Sequence, residues 1–181
     1  MKVEIKLITM QDLTDDFLLT FQRYQETHKV LVEINNRLFE KNDSFIDDWD
    51  TVKKVAIVQE LRTSLTAGGI VLGVYENQNL IGFANIEPTR FGPQMEYVEL
   101  SYIHVSQEIR GKGIGKKLFE VCCEMGCQLG GQKLYIAAHP SIESQLFYKK
   151  MGCTLASHIE KDILSKEPLD IQMERKITHS F

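Results

Sequence analysis

QEIRGKGIGK, residues 107–116, follows a run of strand-like alternation, EYVELSYIHV (96–105), and opens a helix of apolar period near Gly113. A glycine-rich turn between a strand and a helix lets backbone N–H groups come close to an anion. Gly111, Gly113 and Gly115 remove side chains from that approach, and Arg110, Lys112, Lys116 and Lys117 add positive charge in the same place. The chemistry this asks for is pyrophosphate binding.

Which pyrophosphate is decided by what is missing. No GxxxxGK[ST] string occurs, so a Walker loop is excluded. A dinucleotide fold needs GxGxxG and an acid near the end of the next strand. Here the glycines read GxGxG, and the next strand, KLYIAAHP (133–140), carries no acid. What survives is R-x-x-G-x-G, from Arg110 through Gly113 to Gly115. Further on, SIESQLFYKKMGC (141–153) supplies Phe147, Tyr148 and Gly152 in an FYxxxG segment, with helix, strand and short helix in between. These two motifs, in this order, resemble those of the GCN5-related N-acetyltransferase (GNAT) superfamily, over roughly residues 70–160 with a first strand at Val3–Ile8.

The resemblance implies an α+β fold. It has a central mixed, mostly antiparallel twisted sheet of about seven strands, with helices on both faces. The family's fourth and fifth strands, here Glu96–Val105 and Lys133–Ala138, splay apart to form a cleft for the cofactor's pantetheine arm. Acetyl-CoA is the implied cofactor. Its expected contacts are the strand end Ile103, His104 and Val105, the turn Arg110, Gly111, Lys112, Gly113, Ile114, Gly115 and Lys116, and Ser141 and Ser144 at the next helix. Ile103 and Val105 would lend backbone groups to an extended arm, much as a peptide augments a sheet.

The implied activity is acetyl transfer from acetyl-CoA to a primary amine of a small molecule, directly and through a ternary complex. A peptide or protein N-terminus is the alternative acceptor, and a non-catalytic acyl-CoA sensor is the alternative outside enzymes. By resemblance Tyr148 is the acid that protonates the leaving thiolate; a core tyrosine is the competing description. Glu99, eleven residues before Arg110, is the candidate base and also a candidate acceptor contact, against a plain surface carboxylate. Period two places Glu99, Ser101, Ile103 and Val105 on one face, with Tyr102 and His104 on the other. His104 is either a proton relay or a structural histidine. Ser141 stands where many members carry Asn, and Cys153 replaces a usual aromatic. None of the four cysteines falls on a position expected to carry an acetyl group.

The acceptor wall is expected from residues 10–66. That segment contains Trp49, beside Asp47 and Asp48, which either grips a cation or anchors a helix entry. FIDDW, SYIHVSQ and EPLDIQMERKI further resemble a bacterial subgroup of small acetyltransferases.

At 181 residues and 43% hydrophobic, the chain reads as one domain, 1–181, with length for a sizeable core. Net charge is −4 and the pI about 5.8, against a nucleic-acid partner. No apolar run reaches the length of a membrane span, and MKVEIKLITMQDLTDD does not read as a signal peptide. Cys122, Cys123 and Cys127 crowd one helix without a CxxC pair, so reduced thiols in a cytoplasmic protein are expected, with no metal site. A homodimer through the terminal strand Ile171–Ile177 is a further expectation.

The remaining elements follow from pattern. Val3–Ile8 is a strand, and Gln11–Gln25 reads as a helix with Leu13, Phe17, Leu18 and Phe21 on one face. Val30–Ile34 and Arg37–Lys41 form a hairpin across Asn35-Asn36. FIDDWD (45–50) is loop, and Asp50 or Thr51 caps a helix to about Leu65, ended by Gly68-Gly69. Ile70–Glu76 and Leu80–Glu87 make a second hairpin. Cys153–Ile159 and Ile171–Ile177 close the sheet.

Overall fold

The computed structural model describes residues 2–177. The chain runs β1 (Val3–Leu7), β2 (Tyr24–Ile34), β3 (Arg37–Asp48), α1 (Thr51–Thr66), β4 (Ile70–Glu76), β5 (Asn79–Ile86) and β6 (Tyr97–Val105). A single 3₁₀ turn (Gln107–Ile109) leads to α2 (Ile114–Gln128), β7 (Lys133–Ala138), α3 (Ile142–Lys150), β8 (Thr154–Leu155), α4 (Lys161–Lys166) and β9 (Ile171–Lys176). Seven strands form one sheet in the order β1-β4-β5-β6-β7-β9-β8, while β2 and β3 form a hairpin apart from it. Among the described residues only β6 and β7 pair in parallel. The expected mixed, mostly antiparallel sheet is therefore present.

Each face of the sheet has its own core. On one, α1 buries Ile57, Val58 and Leu61 with Val71, Leu80 and Phe83. On the other, α2 buries Ile114, Leu118, Phe119 and Cys122 with Leu72, Ala84, Val98 and Leu134. The start of α1 is explained by Asp50, whose Oδ1 accepts from the Lys53 N–H at 2.7 Å. Asn35 and Asn36 take φ of 52° and 61°, the double left-handed turn that matches strand twist in a two-residue hairpin. Asn77 and Gln78 repeat it at 49° and 69°.

Three local expectations are corrected. Residues 11–25 form turns and the start of β2, not a helix. Leu13, Leu18 and Phe21 are buried as their spacing suggested, but their backbone is satisfied elsewhere. Asp12 accepts from the Thr9 N–H at 2.8 Å, Arg62 Nε donates to the Leu13 carbonyl at 2.7 Å, and Lys54 Nζ donates to the Leu19 carbonyl at 3.1 Å. Side chains of α1 thus take carbonyls a helix would have used. Second, FIDDWD is not all loop. Phe45–Asp48 ends β3, pairing with Tyr24–Thr27 beyond a register shift next to His28. Third, the strand expected at Cys153–Ile159 shrinks to Thr154–Leu155, because the Ser157 N–H turns to the Glu174 carboxylate at 3.0 Å. This short β8 forms the edge of the sheet, and β9 lies inside it.

A fourth correction shapes the site. Asn85 pairs with Tyr102 but the next residue, Ile86, pairs with Leu100, so Ser101 is an extra residue in β6. Alternation inverts there. Val98 and Leu100 share the α2 side with Ile103 and Val105, so Glu99 falls on the face of Tyr102 and His104 instead. Backbone bonds agree: the Glu99 carbonyl and the Ser106 N–H, of opposite parity, both bond toward β5. Past the bulge, Ile103 and Val105 turn their backbone groups to the opposite edge. β7 pairs with β6 only through Tyr97, Val98 and Glu99. The expected splay of the two strands therefore opens from Leu100 onward.

Candidate active site

The open edge of β6 ends in the glycine turn. Gly111 and Gly113 adopt φ of 81° and 78°, and a Cβ at either would meet nothing within 4 Å. Conformation, not crowding within the chain, is what selects glycine at these two positions. Gly113 is the N-cap of α2 and offers no side-chain cap, so the first N–H groups of a fifteen-residue helix lack a local acceptor. Gly115 differs. Its φ is ordinary, and a Cβ there would lie 3.3 Å from the Phe147 ring, so this glycine seats α2 on α3. Arg110 folds back, its Nε donating to the Val105 carbonyl at 3.3 Å. Lys112, Lys116 and Lys117 are exposed around the helix start.

These features suit a phosphate-bearing, extended ligand. A helix start of this kind can accept an anion, and an unpaired strand edge such as that at Ile103 and Val105 can accept amide groups. Ser141 is the N-cap of α3, its Oγ accepting from the Ser144 N–H at 3.2 Å and from Gln25 Nε2 at 2.8 Å, while donating to Ser144 Oγ at 2.9 Å. Both serines thus stand at the open end of β7, tied to the β2–β3 hairpin.

Tyr148 lies on α3 with 8% of its surface exposed. Among the described residues nothing hydrogen-bonds its hydroxyl, and burial, with Cys153 and Asp170 adding to it, raises its pKa well above the ordinary phenol value. It is protonated at any physiological pH and available as a donor. Phe147 packs between Phe119 and Gly115, as its motif position suggested.

Around Tyr148 the fold gathers groups that pattern alone did not single out. Arg23, at the entry to β2, is 6% exposed. Its guanidinium donates to Gln25 Oε1 at 3.0 Å and lies 5.7 Å from the Trp49 ring, with Asp47, Tyr148 and Glu143 in its charge surroundings. His139, just past β7, is bonded through Nε2 to Asp47 Oδ2 at 2.9 Å, and its Nδ1 accepts from the Ser141 N–H at 3.1 Å. Both ring nitrogens are committed, which fixes the neutral tautomer with the proton on Nε2. Burial lowers its pKa further. Asp170, the residue before β9, completes the group. Burial, then Glu167 and Asp47, push its carboxyl up to about 7.

Trp49 belongs to an aromatic cluster with Phe21, Phe83, Tyr102 and His104, the last at 4.8 Å between ring centroids. It anchors the entry to α1 and also lies beside Arg23. His104 is kept neutral by burial and by the nearby charges of Arg23 and Arg110. Glu99 is brought to about 7 by burial and by Glu87, with Lys166 opposing. Its position is the last β6 residue still paired with β7, so it lies at the closed end of the splay.

The four cysteines are free. Burial raises the Cys123 thiol to about 11 and the Cys153 thiol to about 12, and Cys122 higher still. None is poised as a thiolate nucleophile. No described helix is long and apolar enough to cross a membrane.

A sequence model described as the Acetyltransferase (GNAT) family matches residues 18–153. The chain belongs to that family and is an acetyltransferase that works with acetyl-CoA. A comparison with curated proteins returns no match. Among solved structures, nourseothricin acetyltransferase superposes with a TM-score of 0.70 at 14% identity, over 97% of this chain and 99% of that one. A Bacillus anthracis str. Ames protein, assigned as a streptothricin acetyltransferase and solved with acetyl coenzyme A, gives 0.69 at 14% identity, over 98% and 100%. An aminoglycoside 6'-N-acetyltransferase complexed with coenzyme A gives 0.54 at 17%, over 71% and 82%. At these identities the likeness shows a shared fold.

Proposed function

We propose that this protein transfers an acetyl group from acetyl-CoA directly to a primary amine of a small molecule. The observation that carries this is Tyr148: an unpartnered, protonated phenol at the open end of two splayed strands, on the helix that packs against the glycine turn. Bound acetyl-CoA supplies the thioester. Arg110, Lys112, Lys116 and the N–H groups of Gly113–Lys116 hold its phosphates, and Ile103 and Val105 hold its arm. Tyr148 gives its proton to the departing sulfur. The raised thiol pKa values support direct transfer over an acetyl-cysteine intermediate.

On the acceptor side, Asp47, Glu167 and Asp170 form one group of carboxylates and Glu87 and Glu99 another, and the buried Arg23 lies beside the first. This supports a cationic amine as acceptor. The structurally similar nourseothricin and aminoglycoside acetyltransferases make such compounds sensible first acceptors to try. The test has two stages. Acetyl-CoA should raise the melting temperature while ATP and NAD do not; mass action gives ~2.7 kcal/mol at a hundredfold excess over Kd. Thiol release should then follow addition of nourseothricin, an aminoglycoside or a simple alkylamine. Binding of acetyl-CoA without thiol release from any amine would instead describe a sensor.

A further inference from the structure

We propose that Asp170 is the group that takes the proton from the acceptor's ammonium, delivering a neutral amine to the thioester; this rests on the acetyl-transfer reading above. The placement follows from the sheet. Ile171, the first residue of β9, pairs with Ala138, the last of β7. Asp170 therefore stands across from His139 at the open end of the splay, where α3 carries Tyr148. Glu99, the base expected from the motif, pairs with Tyr135 at the closed end. Its charged surroundings are Glu87, Lys166 and Glu160, whereas Asp170 is among the charges that act on Tyr148.

The other proton acceptors near Tyr148 are already spent. His139 has one nitrogen bonded to Asp47 and the other to the Ser141 N–H. His104 is half-buried beside Arg23 and Arg110 and holds a proton too weakly. Asp47 is engaged by His139. The Asp170 carboxylate accepts no hydrogen bond among the described residues, it is half-buried, and it is the carboxylate whose charge acts on Tyr148. The groups facing it are Glu167 from the end of α4, Asp47 from β3 and Tyr148 from α3. Two of these are acids, which keeps its proton affinity near that of a neutral-pH base.

The step balances as follows. One ammonium proton passes to the Asp170 carboxylate, and the freed nitrogen lone pair forms the C–N bond at the thioester carbon. The C–S bond breaks, its electron pair leaving with sulfur, which takes the Tyr148 proton. The second nitrogen proton then restores Tyr148, and Asp170 releases its own to solvent.

The test compares Asp170→Asn, Asp170→Ser and Glu99→Gln by thiol release across pH, using butylamine (protonated at neutral pH) and trifluoroethylamine (already largely neutral). Expected for both Asp170 variants is a loss of about 10²-fold or more at pH 7 with butylamine. With butylamine the acid limb of the kcat/KM profile moves up toward the ionisation of the amine itself, rates with trifluoroethylamine stay close to wild type, and the melting shift with acetyl-CoA is unchanged. Removing an unpaired, half-buried carboxylate should leave the fold intact or firmer above pH 7. Equal losses with both amines indicate a merely structural role and overturn the assignment. So does an acid limb displaced upward in Glu99→Gln but left in place in Asp170→Asn. If wild type binds acetyl-CoA yet releases thiol with no amine, the transfer reading fails, and this inference with it.

Discussion

The proposed cofactor turn takes its groups from one contiguous stretch, Ile103–Lys116, whereas the proposed acceptor side draws Arg23, Asp47, His139, Tyr148 and Asp170 from five separate segments. The first is a matter of local conformation: a strand edge freed by a bulge, two left-handed glycines and an uncapped helix start. The second exists only because the β2–β3 hairpin docks on the open end of β7, where the Leu31 N–H donates to the Pro140 carbonyl at 2.8 Å. The difference teaches how each side can change. A turn tolerates little, since each residue performs a backbone task. A wall assembled by docking can be rebuilt residue by residue without disturbing the turn.

That contrast can be broken by substitution. Tyr148→Phe should lower kcat by about 10²–10⁴-fold while the melting shift with acetyl-CoA persists, because the phenol serves the chemistry and not the phosphates. A matching loss of cofactor affinity would mean the two sides are one unit. Phe21→Ala removes a fully buried ring under the acceptor side and should cost ~3–5 kcal/mol in denaturant unfolding. Gly113→Val forces a branched side chain into the left-handed region, costing roughly 1–2 kcal/mol, and should weaken acetyl-CoA binding with the acceptor side unchanged. If calorimetry finds acetyl-CoA affinity unaltered, the helix start is not the phosphate site.

The smallest expected effect sharpens the comparison from outside both sites. Glu174 is penalised by burial, but bonds from Lys133, Tyr97 and Ser157 outweigh that and hold it down to about 2. A depressed carboxylate stabilises the fold above its unfolded pKa of about 4.5 and loses that contribution as pH falls toward 2. Glu174→Gln should therefore lower the melting temperature at pH 6 and converge with wild type near pH 2. This pair ties β7 to β9 on the closed side of the splay, so acetyl-CoA binding should not change.

Much of the fold was legible because its signals are local. The alternation of Tyr97–Val105, the glycines after it and the apolar period from Ile114 are short-range requirements, and each element lies where they indicated. Asp50 and Asn35-Asn36 announce a cap and a turn for the same reason. Residues 11–25 misled because helical spacing of Leu13, Leu18 and Phe21 reports burial and not hydrogen bonding. The Leu13 carbonyl goes to Arg62 and the Leu19 carbonyl to Lys54, both far along the chain in α1. The face of Glu99 was misjudged because one inserted residue, Ser101, reverses alternation without any mark in composition. Arg23 was hidden within the expected helix, and Asp170 stands in the short connection between α4 and β9.

What the sequence by itself determined, then, is the strand–turn–helix with its glycines, the tyrosine helix that packs on it, and the family. These depend on contacts between near neighbours, where residue type dictates conformation. Only the tertiary structure decided which acids share a cleft with Tyr148, which histidine is already spoken for, and where the two strands part. Those are long-range matters of register and docking, set by how whole elements bury their faces against each other, and no single residue carries them.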